Sequence, residues 1–303
     1  MNLRLLLFQI FSLACILTAS LASAQTKTQQ LVVGTISDEP VKEIRVFLPF
    51  AQHLARQLAA FGVQEGTVVI ARDIDHMVRL VRNGEIDLFV DSPLVAMAIN
   101  TKAGSRLLAR RWKKGISQYH SVVFVIETSD INNVQDLEGQ VIAFEESFSS
   151  SGHLLPRMTM AELGVDLTHL PNSGSKRPSK QTGYVFTGDD ENTIEWVLRG
   201  RVDAGAMSMA SLAKHRTASD MGRLKIILRT ADIPRHAVSV SPEISQPFVA
   251  AIEAELFAMH DSTEGRAVLD SFEGTTRFDA ISQETMTLLT HFQAPLMALV
   301  GED

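Results

Sequence analysis

The sequence predicts an α/β chain built on parallel strands covered by helices, on three observations. Short apolar runs alternate with stretches of helical apolar spacing from Leu31 onward, which is the pattern of a sheet covered on both faces. The alternation pauses after residue 118 and restarts at Val141, so two β/α units stand in series. The last stretch, from Pro247 to Val300, is helical.

Taken in order, Leu31–Ile36 reads as a strand closed by the polar turn Ser37–Pro40. Apolar residues at Phe47, Phe50, Ala51, Leu54, Leu58 and Phe61 follow at helix spacing, and Gly62 stops them. Thr67–Ile70 is a second strand, Asp75–Val81 a short helix ended by Asn83-Gly84, and Ile86–Val90 a third strand. That strand runs into Asp91-Ser92-Pro93, where Pro93 suits a first helical turn and Ser92 its cap. Beyond Gln118-Tyr119-His120 lie a strand at Ser121–Ile126 and a short helix and turn over Val134–Gly139.

The second unit opens with the strand Val141–Phe144, the turn Glu145–Gly152 and a helix over Leu154–Leu163. Pro171–Gln181 is a polar surface loop. Tyr184–Phe186, Val202–Met207, Leu224–Leu228 and His236–Val240 are strands, and Asn192–Leu198 is a helix. Helices are expected over Pro247–Met259, Gly265–Phe272 and Gln283–Val300.

The turn Glu145-Glu146-Ser147-Phe148-Ser149-Ser150-Ser151-Gly152 stands out because it joins a buried strand to a helix start. A helix start offers unpaired N–H groups and the positive end of the helix dipole. Three hydroxyls and a glycine there suit a small oxyanion. The same residues also suit a plain helix cap, and the pattern leaves both readings open. Doubly wound sheets bind ligands at the carboxyl ends of their strands. Three loops qualify: Asp91-Ser92-Pro93, the serine turn, and Gly188-Asp189-Asp190-Glu191.

Composition narrows the function. Of 303 residues 45% are hydrophobic and 21% charged, and the net charge of -7 leaves no basic patch for nucleic acid. Met1–Arg4, an apolar run to Leu21 and Ala22-Ser23-Ala24 read as a secretory signal peptide cut after Ala24. An uncleaved anchor and a lipoprotein signal at Cys15 are the alternatives. Cys15 is the only cysteine, so a chain cut after Ala24 has neither a disulfide nor a thiol. No later apolar run reaches membrane-spanning length, so a soluble protein is expected in the periplasm.

Catalytic motifs are sparse. There is no Gly-x-Ser-x-Gly, P-loop or Gly-x-Gly-x-x-Gly, no His-x3-His pair for a metal, and no cofactor signature. Ser173-x-x-Lys176 and Ser211-x-x-Lys214 lack the companion motifs of serine acyl enzymes. The expectation is a binding protein rather than an enzyme; a serine hydrolase would need a base near Ser149–Ser151, and His153 is the one at hand.

The motifs Asp136-Leu137-x-Gly139, Val141-x-Ala143-Phe144 and Ser149-Ser150-Ser151-Gly152-x-x-x-Pro156 resemble those of phosphate/phosphite/phosphonate-type ABC transporter substrate-binding proteins. Pro49-Phe50-Ala51 with Leu54, Asn83-Gly84-Glu85-Ile86-Asp87-Leu88, Ser92-Pro93 and Arg199-Gly200-Arg201-Val202-Asp203-Ala204 are similar to further stretches of that family. The resemblance implies the two-lobed type 2 periplasmic binding protein fold, each lobe a doubly wound sheet, with ligand in the cleft between. It implies lobe one over 25–118 plus 233–303, lobe two over 119–232, and a hinge near Gln118–Ser121 and Ile233–Ala237. It implies a phosphoryl-type ligand held by Ser149, Ser150, Ser151 and Gly152, faced by Ser92, with Asp203 in the cleft. The implied partner is a membrane permease; a sensor histidine kinase served by the same fold is the alternative.

Two departures bear on the ligand. Glu146-Ser147 stands where the family has Asp-Pro, and Asp190-Glu191 where it commonly has His-Asp. Asp190, with Asp203, would repel bare phosphate and grip an ammonium group, favouring an aminoalkyl phosphonate. Acids at a helix start also simply offset its dipole. Tyr119 either packs at the hinge or reaches the cleft.

Overall fold

The structure is a computed structural model that describes residues 29–215 and 222–301; the expected signal peptide, 1–24, lies outside the described residues. The chain runs β1 (Gln29–Ile36), α1 (Pro40–Gln57), β2 (Val63–Ala71), α2 (Ile74–Arg82), β3 (Leu88–Asp91), α3 (Pro93–Ala103) and β4 (Arg106–Lys113). Next come β5 (Gln118–Tyr119), β6 (Ser121–Ile126), β7 (Val141–Phe144), α4 (Leu155–Glu162), β8 (Leu167–His169), β9 (Thr182–Phe186), α5 (Asp190–Leu198), β10 (Ala204–Ser208) and α6 (Met209–His215). The remainder is β11 (Leu224–Arg229), β12 (Ile233–Pro234), β13 (His236–Val240), α7 (Gln246–Ala258), α8 (Thr263–Ser271), β14 (Thr275–Asp279) and α9 (Gln283–Leu299).

Two six-stranded sheets result, in the orders β14-β4-β13-β3-β1-β2 and β11-β6-β10-β7-β9-β8. We call each sheet with its helices a lobe. The expected parallel sheets are corrected to mixed ones. In the first, β1 pairs parallel with β2 and β3, but β13 runs antiparallel between β3 and β4. In the second, β7 pairs parallel with β9 and β10, and β6 runs antiparallel between β10 and β11. The antiparallel strand is in each case contributed by chain that has just crossed from the other lobe. The two crossing segments themselves pair, Ile233 with Tyr119 and Pro234 with Gln118, in a two-stranded ribbon separate from both sheets.

Strands β4 and β14 were not anticipated. Their charged residues, Arg106, Arg110, Arg111 and Lys113 in one and Arg277 and Asp279 in the other, hide the apolar alternation. The structure spends those charges on pairing. Arg110 donates to both oxygens of Asp279, at 2.8 and 2.7 Å. Arg111 is fully buried with its guanidinium 3.7 Å above the Phe272 ring, and donates to Thr275 Oγ1 and the Phe272 carbonyl, both at 2.8 Å. It closes the core formed by Phe47, Phe50, Phe272 and Phe278, in which Phe50 and Phe272 stack at 4.5 Å.

In the second sheet the period of two is plain: Val122 and Phe124 face one apolar cluster, Val123 and Val125 the other. A third cluster crosses between the lobes. Leu154, Leu155 and Met158, just after the serine turn, share it with Leu94, Val95 and Ile99 of α3 and Phe292 of α9. The lobes are therefore joined by an apolar seam beside the ribbon as well as by the ribbon itself.

Candidate functional site

The three loops singled out in the sequence all stand at carboxyl ends of strands: Asp91-Ser92 after β3, the serine turn after β7, and Gly188–Asp190 after β9. The first belongs to lobe one and the others to lobe two. They meet. The Ser150 hydroxyl donates to Ser92 Oγ across the lobes at 2.8 Å, and Ser92 Oγ in turn reaches Asp91 Oδ1 at 3.3 Å. Asp91 also accepts the N–H of Ser92 at 2.7 Å and of Ile36 at 3.2 Å. Burial outweighs those donors and pushes the Asp91 carboxyl up to about 6.

Ser92 occupies the cap position of α3, as expected, but makes no side-chain cap bond; its hydroxyl is used between the lobes instead. The three serines divide their work. Ser149 is the cap: its Oγ accepts the N–H of Gly152 at 2.9 Å. Ser150, 3% exposed, bridges to lobe one. Ser151 is half-buried beside them. Ser150–Leu154 forms a single π turn that leads into α4, so the helix start is wider than an α turn. The cap reading is thus met by Ser149, while Ser150 is turned to the other lobe.

Gly152 is there for closeness. A Cβ on it would stand 2.5 Å from Glu145 Cβ and 2.7 Å from Glu145 Oε2. Glu145, the first residue after β7, turns back over the glycine and accepts the Ser149 hydroxyl at 2.6 Å. The Gly188 N–H donates to the Glu145 carbonyl at 2.9 Å, which extends the β7–β9 pairing and sets the start of α5 beside Glu145. Burial first, then the Asp190 charge, pushes the Glu145 carboxyl up to about 7. Glu146 is also raised, by burial and by Asp38 and Asp189.

Within the acidic loop, Asp189 is the helix cap, accepting the Asn192 N–H at 2.6 Å. Asp190 differs: its Oδ1 is buried and has no hydrogen-bond partner. Tyr119, from the ribbon, is 5% exposed and lies under the Arg235 guanidinium at 5.3 Å. Its phenol faces Ser150, and burial raises it above its ordinary range. Tyr119 therefore packs at the crossing, with its phenol beside the serine turn.

The placement of Asp203 in the cleft is corrected. Asp203 precedes β10, at the opposite end of the sheet from the serine turn, roughly 13 Å of strand away. Its Oδ2 accepts the Val141 N–H at 2.8 Å, and Arg177 from the polar surface loop pairs with it. His153 offers no base to the serines. Its Nδ1 lies 2.8 Å from the Ser147 carbonyl, its Nε2 faces Arg157, and burial pushes it down to about 4.

Glu145 and Asp91 lie in loops that the motif reading names without giving either a role, and it passes over Arg235. The available signal was a pair of acids, Glu145-Glu146, directly following a fully buried strand. Among the described residues no cluster of acids, histidines or cysteines is arranged for a metal, and no helix is long and apolar enough to cross a membrane.

The whole arrangement is similar to known proteins. In three dimensions the chain is similar to XAC2383 from Xanthomonas citri bound to chloride ion, with a TM-score of 0.84 at 23% identity, covering 90% of this chain and 99% of that one. The same protein bound to ATP gives 0.83 at 22% identity, covering 90% and 98%. PhnD1 from Prochlorococcus marinus in complex with methylphosphonate gives 0.63 at 19% identity, covering 89% and 99%. These likenesses are of fold, the two-lobed one of type 2 periplasmic binding proteins. A family model described as the phosphonate periplasmic substrate-binding protein of ABC transporters matches residues 33–286. The chain therefore belongs to that family, whose activity is solute capture for ABC transport.

Proposed function

We propose that this protein captures a small phosphoryl-type oxyanion, a phosphonate, phosphite or phosphate, between its lobes and delivers it to a membrane permease. The observation that carries the reading is the Ser150–Ser92 contact, which brings the helix start of lobe two onto the β3 loop of lobe one. A helix start of this kind offers N–H groups and dipole to an anion. Ser149, Ser150, Ser151, Gly152 and Ser92 are the binding residues in this reading, with Tyr119 behind them. Asp190 brings an open buried acceptor to the same place, which favours a ligand carrying an ammonium group.

The chain divides, in this reading, at β5 and β12 into lobe one, 25–118 plus 233–303, and lobe two, 119–232. Export rests on the N-terminal signal and its removal after Ala24. Action by binding rather than catalysis is supported by His153, whose ring nitrogens meet the Ser147 carbonyl and Arg157 rather than a serine hydroxyl. Thermal melts of the exported chain with phosphate, phosphite, methylphosphonate and aminoethylphosphonate test the reading. A true ligand at a hundred times its dissociation constant adds about 2.7 kcal/mol of stability. The largest shift is expected with the amino compound, and no shift with any of the four overturns the proposal.

A further inference from the structure

We infer that Glu145 is a proton-holding specificity residue: an oxyanion at the serine turn binds together with one proton, taken up by Glu145, which frees the Ser149 hydroxyl to donate to the ligand. This rests on the oxyanion reading above and adds to it which state of the site accepts the ligand.

The geometry carries the inference. Ser149 Oγ has two partners, the Gly152 N–H at 2.9 Å and Glu145 Oε2 at 2.6 Å. The first can only donate. With Glu145 ionised, the one hydroxyl proton of Ser149 is therefore spent on the carboxylate, and none is left for a ligand. With Glu145 protonated the second bond reverses. The carboxylic acid donates to Ser149 Oγ, and the hydroxyl proton rotates free toward the helix start.

No heavy atom has to move for this exchange. The proton comes from solvent, and the charge it neutralises is one that would repel the incoming anion. Gly152 permits it, because any side chain there would displace Glu145.

The groups facing Glu145 favour the protonated form. Asp190 and Asp189 stand at the start of α5 and Glu146 in the same turn, and together with burial they outweigh the Ser149 hydroxyl, which favours the ionised form; Tyr119 is raised by Glu145 and lowered by Arg235. Burial and these acids already place the carboxyl near 7 without a ligand. An anion bound beside it raises it further, so proton and oxyanion bind with positive coupling.

The experiment is calorimetric titration with methylphosphonate, which carries no ammonium to compete for Asp190, at pH 6 and pH 8.5 in two buffers of different ionisation enthalpy. The parent is compared with Glu145→Gln, whose amide donates to Ser149 Oγ at every pH, and with Ser149→Ala, which has no hydroxyl to free. The ligand's own ionisation is common to all three. The parent should lose roughly thirtyfold more affinity than Glu145→Gln over this range and take up about one more proton at the higher pH. Ser149→Ala should bind weakly at both. Equal pH dependence and equal proton uptake in parent and Glu145→Gln overturn the inference while leaving the oxyanion reading intact. Absence of methylphosphonate binding by the parent at both pH values overturns this inference, and the oxyanion reading falls with it only when the melts with phosphate, phosphite and aminoethylphosphonate also show no shift.

Discussion

The two lobes repeat one device at the amino ends of their strands and differ at the carboxyl ends. In lobe one, α2 ends at Asn83 and Gly84 turns the chain with φ +67°. Ile86 is then buried, and Asp87 Oδ2 accepts the Val32 N–H of β1 at 2.7 Å. In lobe two, α5 ends at Arg199 and Gly200 turns with φ +63°. Val202 is buried, and Asp203 Oδ2 accepts the Val141 N–H of β7 at 2.8 Å. Even the caps agree: Asp73 accepts the His76 N–H and Asp189 the Asn192 N–H, both at 2.6 Å.

Beyond those two caps, which follow the carboxyl ends of β2 and β9, the likeness stops at the carboxyl ends. Lobe one turns from β1 into α1 through Ser37–Glu39, with Pro40 opening the helix and no side-chain cap. It also gathers Arg111, Lys113 and Arg235 near that edge, with Glu273 bridging the first two. Lobe two turns through the serines and a π turn and gathers acids, Glu145, Glu146, Asp189 and Asp190. A repeated aspartate is therefore a device of the fold, and the proposed binding chemistry lies where the repeat fails.

Breaking this comparison should give effects of graded size. The largest is expected at Gly152, where the repeat has no counterpart. Gly152→Val should reduce methylphosphonate affinity at least a hundredfold by calorimetry, because its branched side chain collides with Glu145 and crowds the anion. Binding like the parent's would place the pocket elsewhere.

Ser150→Ala comes next. It removes the bond to Ser92 and one hydrogen bond to a charged ligand, so a ten- to hundredfold loss is expected, about 1.5–3 kcal/mol. Its melting temperature should stay near the parent's. A variant that instead unfolds would make Ser150 structural.

The repeated aspartates should give the opposite result. Asp87→Ala and Asp203→Ala each leave a strand N–H without its carboxylate, and each should cost about 1–3 kcal/mol in urea denaturation. Methylphosphonate affinity should change less than twofold for either. A selective loss of binding in Asp203→Ala would return that residue to the site.

The smallest effect is on the pH dependence of stability. Asp91 has its folded carboxyl raised to about 6, so between about pH 4 and 6 the folded chain holds a proton that the unfolded chain releases. Stability should therefore fall as pH rises through that window, and Asp91→Asn should flatten the fall. Chemical denaturation at pH 4, 5 and 6 measures both, and an unchanged slope in Asp91→Asn would remove the assignment.

Local pattern carried the reading furthest where one segment decides its own structure. The strand Ser121–Ile126 and the return strand His236–Val240 have the bounds expected, because each is a short apolar run between turn residues. The serine turn was legible because strand, glycine and helix start are contiguous in the chain. The crossing segments were legible too: Gln118-Tyr119 and Ile233-Pro234 interrupt the β/α alternation, and they pair.

What the sequence alone determined, then, was the α/β class, the two units in series and the serine turn between a strand and a helix start, since each follows from neighbours in the chain. Only the tertiary structure decided which end of a strand a side chain serves. Asp203 reads the same in either role until the direction of β10 beside β7 is known, and that direction puts it on a strand N–H. Strands β4 and β14 needed their partners as well, because Arg111 is tolerable inside a core only where Phe272, Glu273 and Thr275 receive it. Glu145 became part of the site for the same reason. Its proton affinity is raised first by burial and then by Asp190, brought beside it from 45 residues further along the chain by the pairing of β7 with β9, and both are properties of the folded molecule alone.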